Sequence, residues 1–498
     1  MSTPTAGGPP RAAARAKTRN VARREMDPVR KVAWQTLRSV AAQDAYANLE
    51  LPRRLRAADL TGRDAAFATE LAYGALRGQG TYDAVLAACV DRPLAQVDPA
   101  LLDALRLGAH QLLAMRVPPH AAVAATVDLV RAEVGQGAAG FANAVLRKVA
   151  ARDLDAWLAD VAPAADADRD GHLAVTTSHP VWIVRALRDA LGFHGRSPAE
   201  LPALLAADND RPSVTLVALP GLAQVAELDG DPAGTVSPLA ARVTGSLHDV
   251  RAVRQGRARV QDAGSQLVAL ALTAAPLDGP DGGRWLDLCA GPGGKGALLG
   301  AVLAQRVRRG EVPAVQAVGG DGGSALTANE PAEHRVELVR QSLAGVVKAS
   351  PGLVEIRQGD GRELPADLQD RFDRVLVDAP CTGLGALRRR PEARWRRTPA
   401  DLGGLGPLQR DLLRGALDAV RPGGVVAYVT CSPHPAETRL VVDDVLRRRK
   451  DVEMIDARPV VEEASQGRLT DAGPGPDVQL WPHVHGTDAM YLALLRRS

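Results

Sequence analysis

Cysteine is scarce in this 498-residue chain: Cys89, Cys289, Cys381 and Cys431 are the whole set, far apart and never spaced as CxxC. That spacing excludes a zinc knuckle and a thioredoxin-type redox motif. Few cysteines and no apolar h-region near the start exclude a secreted disulfide scaffold and point to a reducing, cytoplasmic setting. No apolar run approaches the ~18 residues of a membrane span, so no membrane partner is expected. Lysine is also rare, six of the 61 basic residues, and the remainder are arginine. Nor is there a charge excess to betray a nucleic-acid partner, because 58 acidic residues leave a net charge of only +3. Any polyanion site must therefore be found in how charge is distributed. What is present is a normal globular balance, 46% hydrophobic and 24% charged, at a length that implies several domains.

Residues 1–26 place six basic residues ahead of the first acid, Glu25, with almost no large apolar side chain, and read as a disordered basic tail. From 27 to 152 the pattern is helical. Asp27-Pro28 and Asp98-Pro99 are each an N-cap followed by proline at the first helical position. Val29, Val32, Ala33, Leu37 and Val40 then share one face. Cys89 lies in an apolar helix, where a core thiol is expected. Residues 153–255 read as a linker, rich in Ala and Asp to about 175, followed by a small α+β subdomain. From 256 to 498 short apolar strands alternate with helices: 284–288, 325–329, 353–357, 374–378 and 425–430. This alternation predicts a doubly wound parallel sheet, whose ligands bind at the carboxyl ends of the strands.

Five motifs fall at such ends. The first, Asp287-Leu-Cys-Ala-Gly-Pro-Gly-Gly-Lys-Gly296, is a strand, a Gly-rich turn and a helix start. It is not a phosphate loop, since Cys289 and Gly296 stand where Gly and Ser or Thr are needed. Glu330 ends the next strand, where an acid binds ribose hydroxyls. Its separation from Asp287 exceeds the usual ~20 residues, and the excess is assigned to a Gly-rich insertion near 306–323, with Asp321 the competing acid. Asp360, in Gln358-Gly-Asp-Gly-Arg362, is placed to meet an adenine amino group. Asp378-Ala-Pro-Cys381 and Thr430-Cys431-Ser-Pro put two of the four cysteines on the ligand face. Two thiols beside a nucleoside cofactor fit methylation at cytosine C5. One thiolate adds to C6 to make C5 nucleophilic, and a base later removes the C5 proton so that the adduct collapses. A free thiol of pKa about 8.5 is little ionised at neutral pH, so the site should depress that value. Asp378 can orient the ring through N3 and its amino edge, and the base must be single-stranded or flipped out. Just past Cys381, Arg388, Arg389, Arg390, Arg394, Arg396 and Arg397 lie within ten residues. The ordinary reading of such a run is a solvated face; beside a reactive cysteine we expect a phosphate grip, with Trp395 stacking on a base or anchoring the loop.

These motifs closely resemble the bacterial RsmB (Sun, Fmu) family of 16S rRNA 5-methylcytosine methyltransferases, within the NOL1/NOP2/Sun group. The likeness runs from about 27 to 498. Arg63-Asp-Ala-Ala-Phe-Ala-Thr-Glu-Leu-Ala-Tyr-Gly and Asn143-Ala-Val-Leu-Arg-Lys-Val resemble that family's NusB-like RNA-binding domain, and Val260-Gln-Asp-Ala-Gly-Ser-Gln resembles the entry to its catalytic domain. The resemblance implies a multidomain protein, an N-terminal all-α NusB-like bundle followed by a C-terminal α/β Rossmann-like methyltransferase. It implies S-adenosyl-L-methionine held by Asp287, Cys289, Ala290, Gly291, Pro292, Gly293, Gly294 and Lys295, with Glu330 at the ribose, Asp360 near the adenine and Asp378 between cofactor and base. Cys431 is then the nucleophile and Cys381 assists product release. No metal is needed, and the expected partner is 16S rRNA before or early in subunit assembly, bound by a cytoplasmic monomer that does not act on DNA. The same chemistry on tRNA or another rRNA site, and a non-catalytic assembly or antitermination factor, are the alternatives. The sequence departs from the family pattern at Gly291, usually Ala; at Gly296, usually Thr or Ser; at Glu330, usually Asp; and in Gly486-Thr-Asp-Ala-Met-Tyr, where only a packing change is expected.

Overall fold

The computed structural model describes residues 27–43, 45–244, 247, 249–314 and 325–498. The basic tail, Asp321 and the second half of the Gly-rich insertion lie outside the described residues. Seven helices build the N-terminal bundle: α1 (Pro28–Gln43), α2 (Ala47–Ala57), α3 (Gly62–Arg77), α4 (Gln79–Cys89), α5 (Pro99–Leu113), α6 (Pro119–Glu133) and α7 (Gln136–Val149). The aspartate caps form as the sequence requires. Asp27 accepts from the Val29 amide at 2.9 Å, and Asp98 from Ala100 at 2.8 Å and Leu101 at 3.0 Å. Val29, Val32, Ala33, Leu37 and Val40 are buried together, and Cys89 lies in the same core at 1% exposure.

The stretch expected as a linker is ordered instead. Asp153 and Asp168 cap α8 (Leu154–Val161) and α9 (Arg169–Thr176) through the Ala156 and Gly171 amides. Two further helices, α10 (Val181–Phe193) and α11 (Leu201–Asn209), precede a small antiparallel sheet of β1 (Val214–Ala218), β2 (Ala240–Val243) and β3 (Ala258–Val260), in the order β2-β1-β3. Thus β3, beyond the expected boundary at 255, pairs back onto the subdomain.

The catalytic domain is built on β4 (Arg284–Asp287), β5 (Ala325–Glu330), β6 (Val354–Gln358), β7 (Phe372–Asp378), β8 (Val420–Thr430), β9 (Val452–Ile455), β10 (Val478–Gln479) and β11 (Tyr491–Arg497). The sheet runs β10-β11-β8-β7-β4-β5-β6, with β9 also on β11. The five expected strands, β4 to β8, are parallel, whereas β9, β10 and β11 are antiparallel additions at one edge. Alternate residues serve two cores. Trp285, Leu376, Ala427 and Val429 pack against Leu267, Leu299 and Leu343 on one face. Leu286, Val375, Val377 and Tyr428 pack against Leu413, Ala416 and Val442 on the other. From β4 the chain winds outward to β5 and β6, then returns to β7 on the opposite side of β4. This reversal opens a crevice at the carboxyl ends of β4 and β7, the position where open α/β sheets bind ligands.

Candidate active site

The turn after β4 is shaped by glycine. Gly293 has φ +100°, and a Cβ there would stand 2.8 Å from Ser342 Oγ. Gly291 donates its amide to Glu330 Oε2 at 3.1 Å, and Arg335 Nη2 donates to its carbonyl at 2.7 Å. A methyl at 291 would lie 2.7 Å from Arg335 Nη2 and inside contact with Glu330 Oε2. The two departures at 291 and 330 therefore compensate one another, the longer acid occupying the space of the missing methyl. Glu330 is 1% exposed, and its other oxygen accepts from Ala332 N at 3.1 Å. Oε1 also faces Arg335 Nη1 at 3.5 Å, which leaves Oε2 the freer oxygen for a ligand. Asn329, which sequence reasoning missed, bonds Leu288 O at 3.1 Å and Gly359 O at 3.0 Å, tying the turn to the loop after β6. Asp360 in that loop is engaged by its neighbour, accepting from Arg362 N at 2.9 Å and Nε at 3.0 Å on the surface. An adenine contact through Asp360 has to displace Arg362 or use the loop backbone.

Asp287 is 1% exposed, and the Cys289 amide gives its carboxylate only a marginal contact, so both oxygens lack a well-formed partner. Burial, with the charge of Asp378, pushes its carboxyl up to about 7. Gly296 contributes to this, because a side chain there would approach Asp287 Oδ2 within 2.9 Å and no hydroxyl is present. Burial and the same carboxylates also push the Cys289 thiol well up, so it stays protonated. Three carboxylates (Asp287, Glu330 and Asp378) around a glycine cradle repel a phosphate ligand. They suit one that carries positive charge and hydroxyls, which S-adenosylmethionine does. Among the described residues no cluster of His, Cys, Asp and Glu is arranged to hold a metal.

Beyond β7 and β8 the remaining side chains converge. Lys295 Nζ donates to Asp378 Oδ2 at 2.7 Å. Burial opposes the lysine charge, but Asp378 outweighs it and the Lys295 pKa rises. Cys381 Sγ and Cys431 Sγ are 3.4 Å apart. Either thiol can donate across this contact; with Cys381 as donor it raises Cys381 well above the ordinary thiol value and lowers Cys431. Burial and Asp378 oppose the Cys431 thiolate, while Lys295 and Arg390 support it. Two fully buried residues without a sequence signature clamp the Cys381 segment. Glu437 accepts from Thr382 N at 2.7 Å and Thr382 Oγ1 at 2.5 Å, and Gln409 Nε2 donates to Pro380 O at 2.8 Å. On the other side Gly385 N donates to Cys431 O at 2.9 Å.

The arginine run corrects the expectation of a phosphate-binding face at most of its positions. Arg394 is 0% exposed. Its guanidinium bonds Arg77 O, Ser178 O, Asn209 Oδ1 and Asp208 O at 2.8–3.2 Å, joining α3, the α9–α10 turn and the end of α11. Arg396 donates to Val40 O at 2.8 Å and to Ala45 O. Arg389 is paired with the buried Asp488, Arg388 bonds Gly486 O at 3.1 Å, and Arg397 Nε donates to Thr382 O at 3.1 Å. Trp395 anchors the loop, its ring filling the space beside Gly80 of α4. Arg394 is buried and Arg396 half-buried in the seam under the helical bundle, whereas Arg388, Arg389 and Arg397 are half-buried against the catalytic domain itself. The Gly486–Tyr491 segment is more than a packing variant, since Thr487 Oγ1 accepts from Gly264 N at 2.7 Å and Asp488 holds Arg389.

Comparison with known proteins agrees with this geometry. The family described as 16S rRNA methyltransferase RsmB/F matches residues 274–496, and the NusB family matches 27–151. A Mycobacterium tuberculosis protein provisionally named a methyltransferase is 51% identical over 485 residues, covering 97% of this chain and 99% of that one. Ribosomal RNA small subunit methyltransferase B of Erwinia tasmaniensis is 29% identical over 491 residues, covering 95% of this chain and 99% of that one. The crystal structure of PH0851 has the same fold, with a TM-score of 0.71 at 20% identity, covering 95% of this chain and 98% of that one. The chain belongs to the RsmB/F family of S-adenosylmethionine-dependent rRNA methyltransferases and carries a NusB-family domain ahead of its catalytic domain.

Proposed function

We propose that the protein methylates C5 of one cytosine in 16S rRNA through a covalent adduct on Cys431. The observation that carries this reading is the thiol pair, 3.4 Å apart beside the Lys295–Asp378 ion pair, close enough for one sulfur to steady the other as thiolate. S-adenosylmethionine, when bound, supplies an activated methyl group. Asp287, the turn from Cys289 to Lys295, and Glu330 would hold it; Asp360 would sit near its adenine.

The residues then divide the work. Cys431 Sγ forms a bond to C6 of the flipped cytosine, and the electron pair released to C5 makes that carbon the nucleophile. Asp378, fixed by Lys295, orients the ring along its N3 and amino edge by accepting from the amino group. Bonded to carbon, Cys431 loses its negative charge, and with it the main cause of the raised Cys381 pKa. Cys381 can then give its own proton to solvent and, as thiolate, remove the C5 proton, whose electron pair re-forms the C5–C6 double bond as the C6–S bond breaks. Cys431 leaves as thiolate and the pair is restored.

The experiment is transfer of a labelled methyl group from S-adenosylmethionine to naked 16S rRNA, 23S rRNA and tRNA, with mapping of the modified base. A single 5-methylcytosine in 16S rRNA is expected. Label only in tRNA or 23S rRNA keeps the chemistry and discards the substrate. No label and no cofactor binding leaves the non-catalytic assembly factor. Cys431→Ala should abolish turnover, and Cys381→Ala should accumulate a denaturant-resistant protein–RNA adduct. Accumulation in Cys431→Ala instead exchanges the two roles.

A further inference from the structure

One arginine of the run is unlike the others. Arg390 follows the turn that starts on the Cys431 carbonyl: Gly385 N bonds Cys431 O, and Arg390 N bonds Ala386 O, both at 2.9 Å. Among the described residues no carboxylate, carbonyl or hydroxyl accepts from its guanidinium. It lies over the ring of Tyr46, with the guanidinium carbon 5.2 Å from the centroid; Arg396 lies over the same ring at 5.7 Å but also donates to backbone carbonyls. Tyr46 belongs to the helical domain, immediately ahead of α2, and is 44% exposed in a chain with only 3% aromatic residues. Downstream on α2 the surface continues with exposed Leu49 and Arg53.

Arg390 Nε is buried without a partner, but a guanidinium over an aromatic ring can still turn its two Nη groups to two oxygens of a phosphate. The stack fixes the long side chain, so less conformational freedom is lost when an anion arrives. The buried Glu392 carboxylate shares the field of Arg390 and Arg396, but among the described residues none of its oxygens accepts from Arg390. The charge of Arg390 reaches the Cys431 thiol, and on the reading above that thiol receives a flipped nucleotide whose own chain must pass close by.

We propose that Arg390, propped on Tyr46, grips a phosphate of the single-stranded RNA next to the target cytosine, so that the NusB-family domain forms one wall of the active-site entrance. This rests on the reading of the site as an RNA cytosine methyltransferase. It makes Arg390 and Tyr46 positioning residues for the substrate strand.

The test is a fluorescence-anisotropy titration of the full-length protein with a fluorescein-labelled single-stranded oligoribonucleotide containing cytosine, across a salt series. Loss of one phosphate contact should lower the log–log salt slope by about 0.7 and the affinity by about tenfold in Arg390→Ala. Tyr46→Ala should lose affinity too, Tyr46→Phe should retain it, and the Tyr46→Ala and Arg390→Ala losses should not add. Arg390→Lys, which keeps charge but not the fork, guards against a folding artefact and should fall between. Unchanged slope and affinity in Arg390→Ala overturn the proposal, including the case where only the Cys431 alkylation profile moves. A wild-type protein that binds this RNA but methylates none defeats the functional reading, while the same titration still decides on Arg390.

Discussion

The compensation between Gly291 and Glu330 can be tested as a double-mutant cycle. In Gly291→Ala the new methyl falls inside contact with Glu330 Oε2 and 2.7 Å from Arg335 Nη2. Glu330 cannot swing away easily, because it is 1% exposed and pinned by the amides of Gly291 and Ala332. Overpacking of this kind costs about 1–3 kcal/mol. Glu330→Asp alone withdraws the carboxylate from the Gly291 amide, and losing a hydrogen bond to a charged group costs about 1.5–3 kcal/mol. In the double variant the shorter acid makes room for the methyl, so the two costs should overlap by about 1–3 kcal/mol. The assays are thermal melting and calorimetric titration with S-adenosylmethionine. Each single variant should bind at least about tenfold more weakly, which is ~1.4 kcal/mol, and the double variant should recover most of that. Losses that simply add, within about 0.5 kcal/mol, refute the compensation.

Three further outcomes follow from the site and its seam. Removing the Cys381 donor takes away the chief cause that lowers Cys431, so the pH midpoint of Cys431 alkylation should move upward in Cys381→Ala; an unmoved midpoint denies the thiol hydrogen bond. Burial raises Asp287 to about 7. Between the unfolded value near ~3.9 and that figure, the folded protein holds a proton the unfolded chain has lost, so the contribution of this group to stability falls as pH rises through the window. The ligand-free melting temperature should therefore decline more steeply over that range than in Asp287→Asn, and equal slopes count against the shift. Arg394→Met leaves Asp208, itself raised to about 7 by burial, without its facing charge, and strips four acceptors of their donor. Breaking a buried arrangement in this way costs about 3–5 kcal/mol, read as an earlier unfolding transition by calorimetry, and a loss under ~1 kcal/mol shows the seam to be dispensable.

What the sequence made legible is what local chemistry encodes. Asp27-Pro28 and Asp98-Pro99 announce their helices because a cap acts within one turn. The same logic was available at Asp153 and Asp168, where Ala- and Pro-rich composition masked it. The strands β4 to β8 are short apolar runs bounded by turns, and each motif sits where such a strand must end. β11 was missed because Tyr491-Leu-Ala-Leu-Leu-Arg-Arg is buried on both faces and shows no period of two, so it reads equally as helix. Gln409 and Glu437 carry no signature either, since their function depends on which backbone atoms pack against them.

The arginine run shows why charge alone misleads, and it sets up a discriminating experiment. A guanidinium among backbone carbonyls and one awaiting a phosphate look the same in sequence, but they respond differently to salt. Arg394 and Arg396 are bound to carbonyls of the helical domain and its neighbouring helices, Arg394 with no exposed surface and Arg396 half-buried. Ions screen exposed charges over about 8 Å at physiological strength and affect buried hydrogen bonds far less. The contact proposed for Arg390 depends instead on counterion release and weakens steadily as salt rises. Raising salt should therefore release RNA while the seam between the helical and catalytic domains stays closed. Small-angle scattering on the protein alone, over the salt range that releases the oligoribonucleotide, should give a constant radius of gyration. Expansion in step with RNA release means that the seam itself is electrostatic, and the division of labour drawn here between Arg390 and its neighbours is wrong.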